Sequence, residues 1–443
     1  MTNQDHEVIK EQILQLAKIY WEKKFQVNNN FIPGKTRINY SGRVFDYKEM
    51  QNLIESALDF WLTNGRFIEN FEQKFKEFHG LNYCITTNSG SSANLLAFAS
   101  LRSPMLKDNA IPENSEVITS ASSFPTTVNP IIQYKCKPVF VDPELQTYNP
   151  SVETIKKAIT KKTKAIMLAH TLGIPFDVKE ITDICNEHNL YLIEDCCDAL
   201  GAKYCGKLVG TFGHIATFSF YPAHHITTGE GGALITNNSL FKRIIESIRD
   251  WGRDCWCKPG KDNSCGRRFG FKLGDLPYGY DHKYIYSNIG YNLKMTEMQA
   301  AIGLAQLEKL SKFIEIRRRN FFMLLKKLKR YEAYFLLPKI QKNTYISPFG
   351  FPLCLTQQAP FTRHEIVTYL ENNMIATRML FGGNIIRQPA YNNIKYKKIG
   401  KLINADYIMN NMFWIGVYPG INKDMLNYVV SIFEDFLDKK VNK

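Results

Sequence analysis

The stretch 164–195, KAIMLAHTLGIPFDVKEITDICNEHNLYLIED, places a β-rich run (Lys164–His170), a helical periodicity (Val178–Asn189) and a second β-rich run (Leu190–Asp195) in succession. That order is a βαβ unit and predicts a mainly parallel sheet covered by helices. Ligands of open α/β sheets bind beyond the carboxyl ends of the strands, so the residues after each strand carry the chemistry. Here they read Glu194-Asp195-Cys196-Cys197-Asp198-Ala199-Leu200-Gly201. Asp195 is placed where a bound ring would meet it. A carboxylate paired with a pyridine nitrogen keeps that nitrogen protonated and makes the ring an electron sink. The plain structural alternative is a helix cap.

Two further strings flank this unit. Upstream, a strand at Asn82–Thr86 leads into Thr87-Asn88-Ser89-Gly90-Ser91-Ser92-Ala93-Asn94, which opens a helix and offers free backbone amides to a phosphate. Downstream lies Thr217-Phe218-Ser219-Phe220-Tyr221-Pro222-Ala223-His224-His225-Ile226-Thr227-Thr228-Gly229-Glu230-Gly231-Gly232, too unusual for a mere connector. Around them, Ile9–Phe25 reads as an amphipathic helix ended by Asn28-Asn29-Asn30 and Pro33-Gly34, and Lys48–Gly80 as two helices with a turn at Gly65. A helix over Thr296–Arg330 leads into a smaller C-terminal domain. The expected division is an extension over 1–46, a large cofactor-binding domain over 47–295, and the linking helix with the smaller α+β domain over 296–443.

A chain of 443 residues with 44% hydrophobic content exceeds what one core usually holds, which fits two unequal domains. Its net charge of +14 favours a polyanionic ligand or an acidic partner. Much of the excess sits in Arg317, Arg318, Arg319, Lys326, Lys327, Lys329 and Arg330, at helical spacing that reads as a solvated helix face rather than a nucleic-acid surface. The start of the sequence lacks a basic-then-apolar signal pattern, and no apolar run is long enough to span a bilayer, so a cytoplasmic enzyme without membrane or nucleic-acid partners is expected. Ten cysteines in such a chain are expected as thiols or metal ligands rather than a disulfide framework.

The three strings, in this order, resemble the DegT/DnrJ/EryC1/StrS sugar aminotransferase family, a group of fold-type I vitamin B6 enzymes. The resemblance runs from about Tyr47 to the C-terminus. It includes Leu62–Gly80, Gly290-Tyr291-Asn292 ahead of Met295-Thr296-Glu297, and Thr377-Arg378-Met379-Leu380-Phe381 through Arg387-Gln388-Pro389. It implies an α/β fold-type I architecture and phosphate contacts from Gly90, Ser91 and Ser219. It also implies Phe124 stacked on the cofactor ring, Asp195 at the ring nitrogen, and Asn292 reaching into the neighbouring subunit of a homodimer. Where the family carries its Schiff-base lysine, this chain has His224.

An imidazole cannot hold pyridoxal phosphate covalently, so the expected resting cofactor is non-covalent pyridoxamine phosphate. Its amine can form a Schiff base with a keto sugar, and a base of reference pKa near 6.5 suits proton removal from it. Without the lysine, simple transamination is disfavoured. Loss of a hydroxyl next to the imine carbon becomes the alternative, with the protonated histidine returning a proton to the leaving group. A degenerate sugar-nucleotide-binding protein is the non-enzyme alternative.

Cys255-Trp256-Cys257 and Cys265 place three thiols in one Gly- and Pro-containing loop, one short of a four-coordinate site. Cys197 is the preferred fourth ligand. Cys196 is equally available on paper, and the choice rests on the family's spacing. Paired Cys-x2-Cys knuckles are absent, which favours an iron–sulfur cluster over zinc. The arrangement resembles the pyridoxamine-dependent, [2Fe–2S]-containing 3-dehydrase branch of the family, as does Ser-Phe-Tyr-Pro-Ala-His-His at Ser219–His225. That resemblance implies a CDP-activated 4-keto-6-deoxyhexose substrate, a place in 3,6-dideoxysugar and lipopolysaccharide biosynthesis, and an NAD(P)H-dependent iron–sulfur flavoprotein reductase as partner. It further implies supporting roles for Asp198 and Tyr221 and, on the substrate side, Phe349. A cluster-free dehydratase acting on a GDP-sugar is the enzyme alternative.

Overall fold

The computed structural model describes residues 3–26 and 30–441. The expected parallel sheet is present. Strands β1 (Tyr83–Thr87), β2 (Glu116–Ser120), β3 (Lys137–Val141), β4 (Thr163–Ala169), β5 (Tyr191–Asp195), β6 (Ile215–Ser219) and β7 (Gly232–Thr236) lie in the order β1-β7-β6-β5-β4-β2-β3. The short strand Lys397–Lys398 pairs alongside β3. Strands β2 to β6 are parallel, and β7 runs antiparallel to β1 and β6. Helices cover both faces, so β2, β6 and β7 are buried at every position, as sheets with two covered faces require. Phe71, Phe75, Leu168 and Ile181 fill one face, and Leu96, Phe98, Ile193 and Ile244 the other.

Local chemistry explains the helical boundaries. The first helix spans Asn3–Phe25, and of the stop signals after it Asn28 and Asn29 lie outside the described residues, while Pro33-Gly34 forms a turn. Helix Tyr47–Asp59 begins with a capping box from Asp46 and Glu49 and stops at Phe60 in the left-handed region. Gly65 precedes helix Arg66–His79 and has no side chain to cap it. Glu297, 2% exposed, does so from the start of the long helix, accepting from the amides of Gly65 (2.8 Å), Phe67 (2.8 Å) and Ile68 (2.9 Å).

That long helix, Glu297–Leu328, crosses from the large domain into a second core containing Phe321, Leu324, Phe351, Phe413 and Phe433. The smaller sheet there is antiparallel, in the order Phe335–Leu336, Gly350–Leu355, Met412–Gly416, Thr377–Arg378. The N-terminal segment joins it: the Ile38 amide donates to the Met374 carbonyl at 2.7 Å, and Ile38 bridges Ile375. A Cβ at Gly416 would lie 2.7 Å from the Tyr40 Cα, so the bare glycine lets this segment pass and brings Tyr40 to the domain junction.

One expectation fails. Of the arginines assigned to a solvated face, Arg317 is 2% exposed, Arg318 is half-buried with its guanidinium 3.5 Å from the Tyr345 ring centre, and Arg319 is exposed. The helix passes between two domains at this point, and backbone carbonyls supply the partners that water would otherwise provide. No helix of the described residues is long and apolar enough to cross a membrane.

Replacing Glu297 with Ala strands three amides at the start of helix Arg66–His79. We expect denaturant titration to show a loss of about 2–4 kcal/mol, with Glu297→Gln losing less because it keeps one acceptor oxygen.

Candidate active site

The carboxyl ends of β2, β4, β5 and β6 meet the smaller domain around a cavity of about 380 Å³. Its walls include Gly90, Ser91, Phe124, Asp195, Cys197, Asp198, Ser219, Tyr221, His224 and Phe349, which the sequence had singled out from distant strings. Asn292 stands apart, exposed and paired through its backbone with Asp250.

At one end, helix Gly90–Ser100 begins. Ser89 caps it by accepting from the Ser92 amide, and the amides of Gly90 and Ser91 are first-turn donors without an intrahelical acceptor. A Cβ on Gly90 would come within 2.4 Å of the Ser219 Cβ, so glycine is what lets the turn close against β6 and set amides and the Ser219 hydroxyl on one wall. This is an anion cradle at a helix N-terminus.

Asp195 is fixed from behind. Its Oδ2 accepts from Asn94 Nδ2 and Thr127 Oγ1, both at 2.8 Å, and its Oδ1 from the Cys197 amide at 3.1 Å. Asn94 is itself held by Thr217, whose hydroxyl donates to Asn94 Oδ1 at 2.6 Å. Phe124 is 47% exposed and edge-on to Phe381, leaving an aromatic face open to the cavity. The residues therefore fit a phosphorylated pyridine cofactor: amides for the phosphate, an aromatic face for the ring, and an anchored acid for its nitrogen.

His224 lies on the loop between β6 and β7. Its ring is 5.0 Å from that of Phe349, and its Nδ1 is 3.7 Å from Asp198 Oδ1 with no hydrogen-bond partner among the described residues. Burial and the nearby Arg317 guanidinium push its pKa down to about 3, opposed by the Cys197 carbonyl, so the imidazole rests neutral, with Nδ1 unpartnered among the described residues. Burial and the Asp195 charge raise Asp198 to about 8, and its Oδ2 accepts from the Leu172 amide at 3.3 Å. The pair is thus a neutral acid beside a neutral base. The adjacent His225 is buried, with Nε2 2.9 Å from the Ser347 carbonyl oxygen, which leaves His224 alone on the cavity wall.

Arg317 positions this loop. Its Nη2 donates to the His224 carbonyl at 2.9 Å and its Nη1 to the Phe349 carbonyl at 3.2 Å. Sequence reasoning missed Arg317, Thr127, Tyr40, Trp414 and Arg378 as site residues. The Arg378 string was noticed, but Tyr40 carries no local signal.

Of the four proposed metal ligands, three lie together: Cys255 and Cys257 share a side-chain hydrogen bond, and Cys265 bears on both. Cys197 opens to the cavity, whereas Cys196 is buried against Gly210, where a Cβ would lie 3.2 Å from its sulfur. Cys255, Cys257 and Cys265 occupy the outlying loop. Burial opposes ionisation of Cys257, but hydrogen bonds from Ser264 and the Cys265 amide outweigh it and bring that thiol to about 7. Among the described residues, the ligand atoms that converge within 4.8 Å belong to His170, Glu194 and Cys196, not to these four cysteines. That buried trio is a structural knot, because Glu194 already accepts from the Gly210, Phe212 and Gly213 amides.

Comparison with known proteins agrees with this geometry. The chain is 52% identical to the lipopolysaccharide biosynthesis protein RfbH of Salmonella typhimurium, covering 97% of this chain and 98% of that protein. It is 49% identical to the dTDP-4-dehydro-2,6-dideoxy-D-glucose 3-dehydratase of Saccharopolyspora spinosa, covering 97% and 92%. It superposes on the Escherichia coli GDP-4-keto-6-deoxy-D-mannose-3-dehydratase with bound hydrated PLP at a TM-score of 0.81 and 29% identity, covering 90% and 99% of the two chains. With residues 45–434 matching throughout, the chain belongs to the DegT/DnrJ/EryC1/StrS aminotransferase family.

Proposed function

We propose that this protein is a sugar-nucleotide 3-dehydratase of dideoxysugar biosynthesis, acting on a CDP-activated 4-keto-6-deoxyhexose with pyridoxamine phosphate held non-covalently. The observation that carries the reading is His224 on the cavity wall, where the family carries an amine, in the same cavity as the anchored Asp195. Similarity to two 3-dehydratases supports it. When bound, the cofactor supplies an amine that captures the keto sugar and a ring that takes up electrons.

The chain's own residues do the rest. Gly90 and Ser91 amides and the Ser219 hydroxyl hold the phosphate, Phe124 covers the ring, and Asp195 meets its nitrogen. His224 takes a proton and returns it to the departing C3 hydroxyl. Its unpartnered Nδ1 faces Asp198, a neutral acid able to exchange that proton, while Tyr221 and Phe349 border the sugar. Asn292, on an exposed turn, completes the site of a second subunit in a homodimer.

The thiols Cys255, Cys257, Cys265 and Cys197, set beside the resemblance to the cluster-containing branch, support a [2Fe–2S] cluster fed by an NAD(P)H-dependent iron–sulfur flavoprotein reductase. Cys255, Cys257 and Cys265 would bind the cluster from one loop and Cys197 from the cavity wall. A cluster-free dehydratase acting on a GDP-sugar is the second reading, supported by the likeness to the GDP-4-keto-6-deoxy-D-mannose-3-dehydratase.

Three outcomes follow. His224→Asn should retain pyridoxamine phosphate but lose dehydration by about 100- to 10,000-fold, measured with purified keto sugar nucleotides; undiminished turnover removes the base assignment. Iron and sulfide analysis with electron paramagnetic resonance after anaerobic reduction should detect a [2Fe–2S] centre, whereas zinc or no metal selects the second reading. Asp198 titrates near 8 in the fold against an ordinary 3.8, so the folded state binds the extra proton and stability falls as pH rises between those values. Asp198→Asn should therefore gain on the parent chain with rising pH, by on the order of 1 kcal/mol per unit, and level off above about 8. His224, lowered from 6.5 to about 3, acts in the opposite sense over that range, so denaturant titrations between 6.5 and 8 isolate Asp198.

A further inference from the structure

The cavity wall carries three acidic side chains, Asp195, Asp198 and Glu230, and among the described residues Arg378 is its one lysine or arginine. A nucleotide sugar brings a second anion besides the cofactor phosphate. The inner cradle of Gly90, Ser91 and Ser219 accounts for one. The diphosphate, which in the substrate joins the reacting sugar to the nucleoside, needs another.

Arg378 is built for that task. It is exposed at the mouth of the cavity, on the short strand Thr377–Arg378 paired with Met412–Gly416, and has no ion-pair partner among the described residues. Its Nη1 donates to the Thr377 carbonyl at 2.7 Å, and its guanidinium lies 3.9 Å from the Tyr40 ring centre. Tyr40 is held edge-on to Trp414 at 5.4 Å. The fork is therefore oriented by an aromatic face and one carbonyl while its other N–H groups remain to be used. A planar guanidinium held this way matches the paired oxygens of a diphosphate better than a flexible ammonium.

We propose that Arg378, braced by Tyr40, binds the diphosphate of the nucleotide-sugar substrate at the cavity mouth. This rests on the reading of the protein as a nucleotide-sugar enzyme, but not on the identity of the base.

Isothermal titration of the pyridoxamine phosphate-loaded protein with CDP, GDP and dTDP, and with the matching monophosphates, tests it. For the nucleotide that the parent chain binds, Arg378→Gln should weaken the diphosphate by about 10- to 100-fold and the monophosphate much less. Arg378→Lys should recover part of the loss, and Tyr40→Leu should move in the same direction as Arg378→Gln. Thermal melting and retention of pyridoxamine phosphate report whether each variant is folded with an intact inner cradle. Unchanged diphosphate affinity in Arg378→Gln overturns the assignment, as does loss of the cofactor in place of the diphosphate. A parent chain that binds none of the three diphosphates overturns the nucleotide-sugar reading itself, a result distinct from failure of the variant.

Discussion

The buried guanidinium of Arg317 is the contact on which fold and site jointly depend. It sits on the helix that links the two domains, and its four backbone acceptors belong to Ala223 and His224 on one side and Pro348 and Phe349 on the other. Burying a cation is costly unless its donors are met; here the carbonyls that meet both Nη groups are those that define the reacting wall, and Nε is left without a partner among the described residues. Burial lowers Arg317 only to about 10, so it remains charged at neutral pH. Its positive field then acts on His224, reinforcing the effect of burial in keeping that imidazole unprotonated. One residue thereby joins the domains, places the Phe349 ring against the histidine, and biases the protonation state of the base.

The acids of the cavity divide their work by environment. Asp195 has three hydrogen-bond donors aimed at its oxygens, an arrangement suited to a fixed partner for a ring nitrogen. Asp198, three residues on, is raised to about 8 by burial and then by the repulsion of Asp195, which its one long contact to the Leu172 amide only partly offsets. Two carboxyl groups with different surroundings thus let a single cavity provide both an anchor and a proton store.

The βαβ core, the turn at Ser89–Ser92 and the place of Asp195 at a strand end were legible in the sequence because each depends on neighbours in the chain, whereas His224 was picked out by the family resemblance; the structure brings Gly90, Ser91, Asp195 and His224 to one cavity. Arg317 was misread because periodicity reports which residues share a helix face, not what that face meets. The facing carbonyls come from residues 223 and 349, and backbone carbonyls leave no trace in a sequence. Tyr40 was missed for a related reason: it reaches the cavity through pairing of Ile38 with Ile375, a contact across most of the chain. The Cys196 and Cys197 alternatives could not be separated in sequence. In the fold Cys196 turns into the core and Cys197 to the cavity, because the two follow directly from the end of β5.

Cys197 and the three thiols of the outlying loop are held with unequal firmness. Cys197 is fixed by the end of β5 and by the hydrogen bond its amide donates to Asp195 Oδ1, so displacing it means disrupting the central sheet. The root of the outlying loop is also firm: Asp254 accepts from Ser287 at 2.9 Å and pairs with His282 at 2.7 Å. Its thiol end is held more lightly. Gly260 rests against Trp61, and Lys258 pairs with Glu69, both of whose side chains are well exposed. A surface ion pair of that kind contributes about 0–1 kcal/mol. Rearranging the segment Cys255–Cys265 costs these contacts together with the packing of Trp256 against His282 and Phe271 and under the Arg243 guanidinium, whereas moving Cys197 costs part of the core.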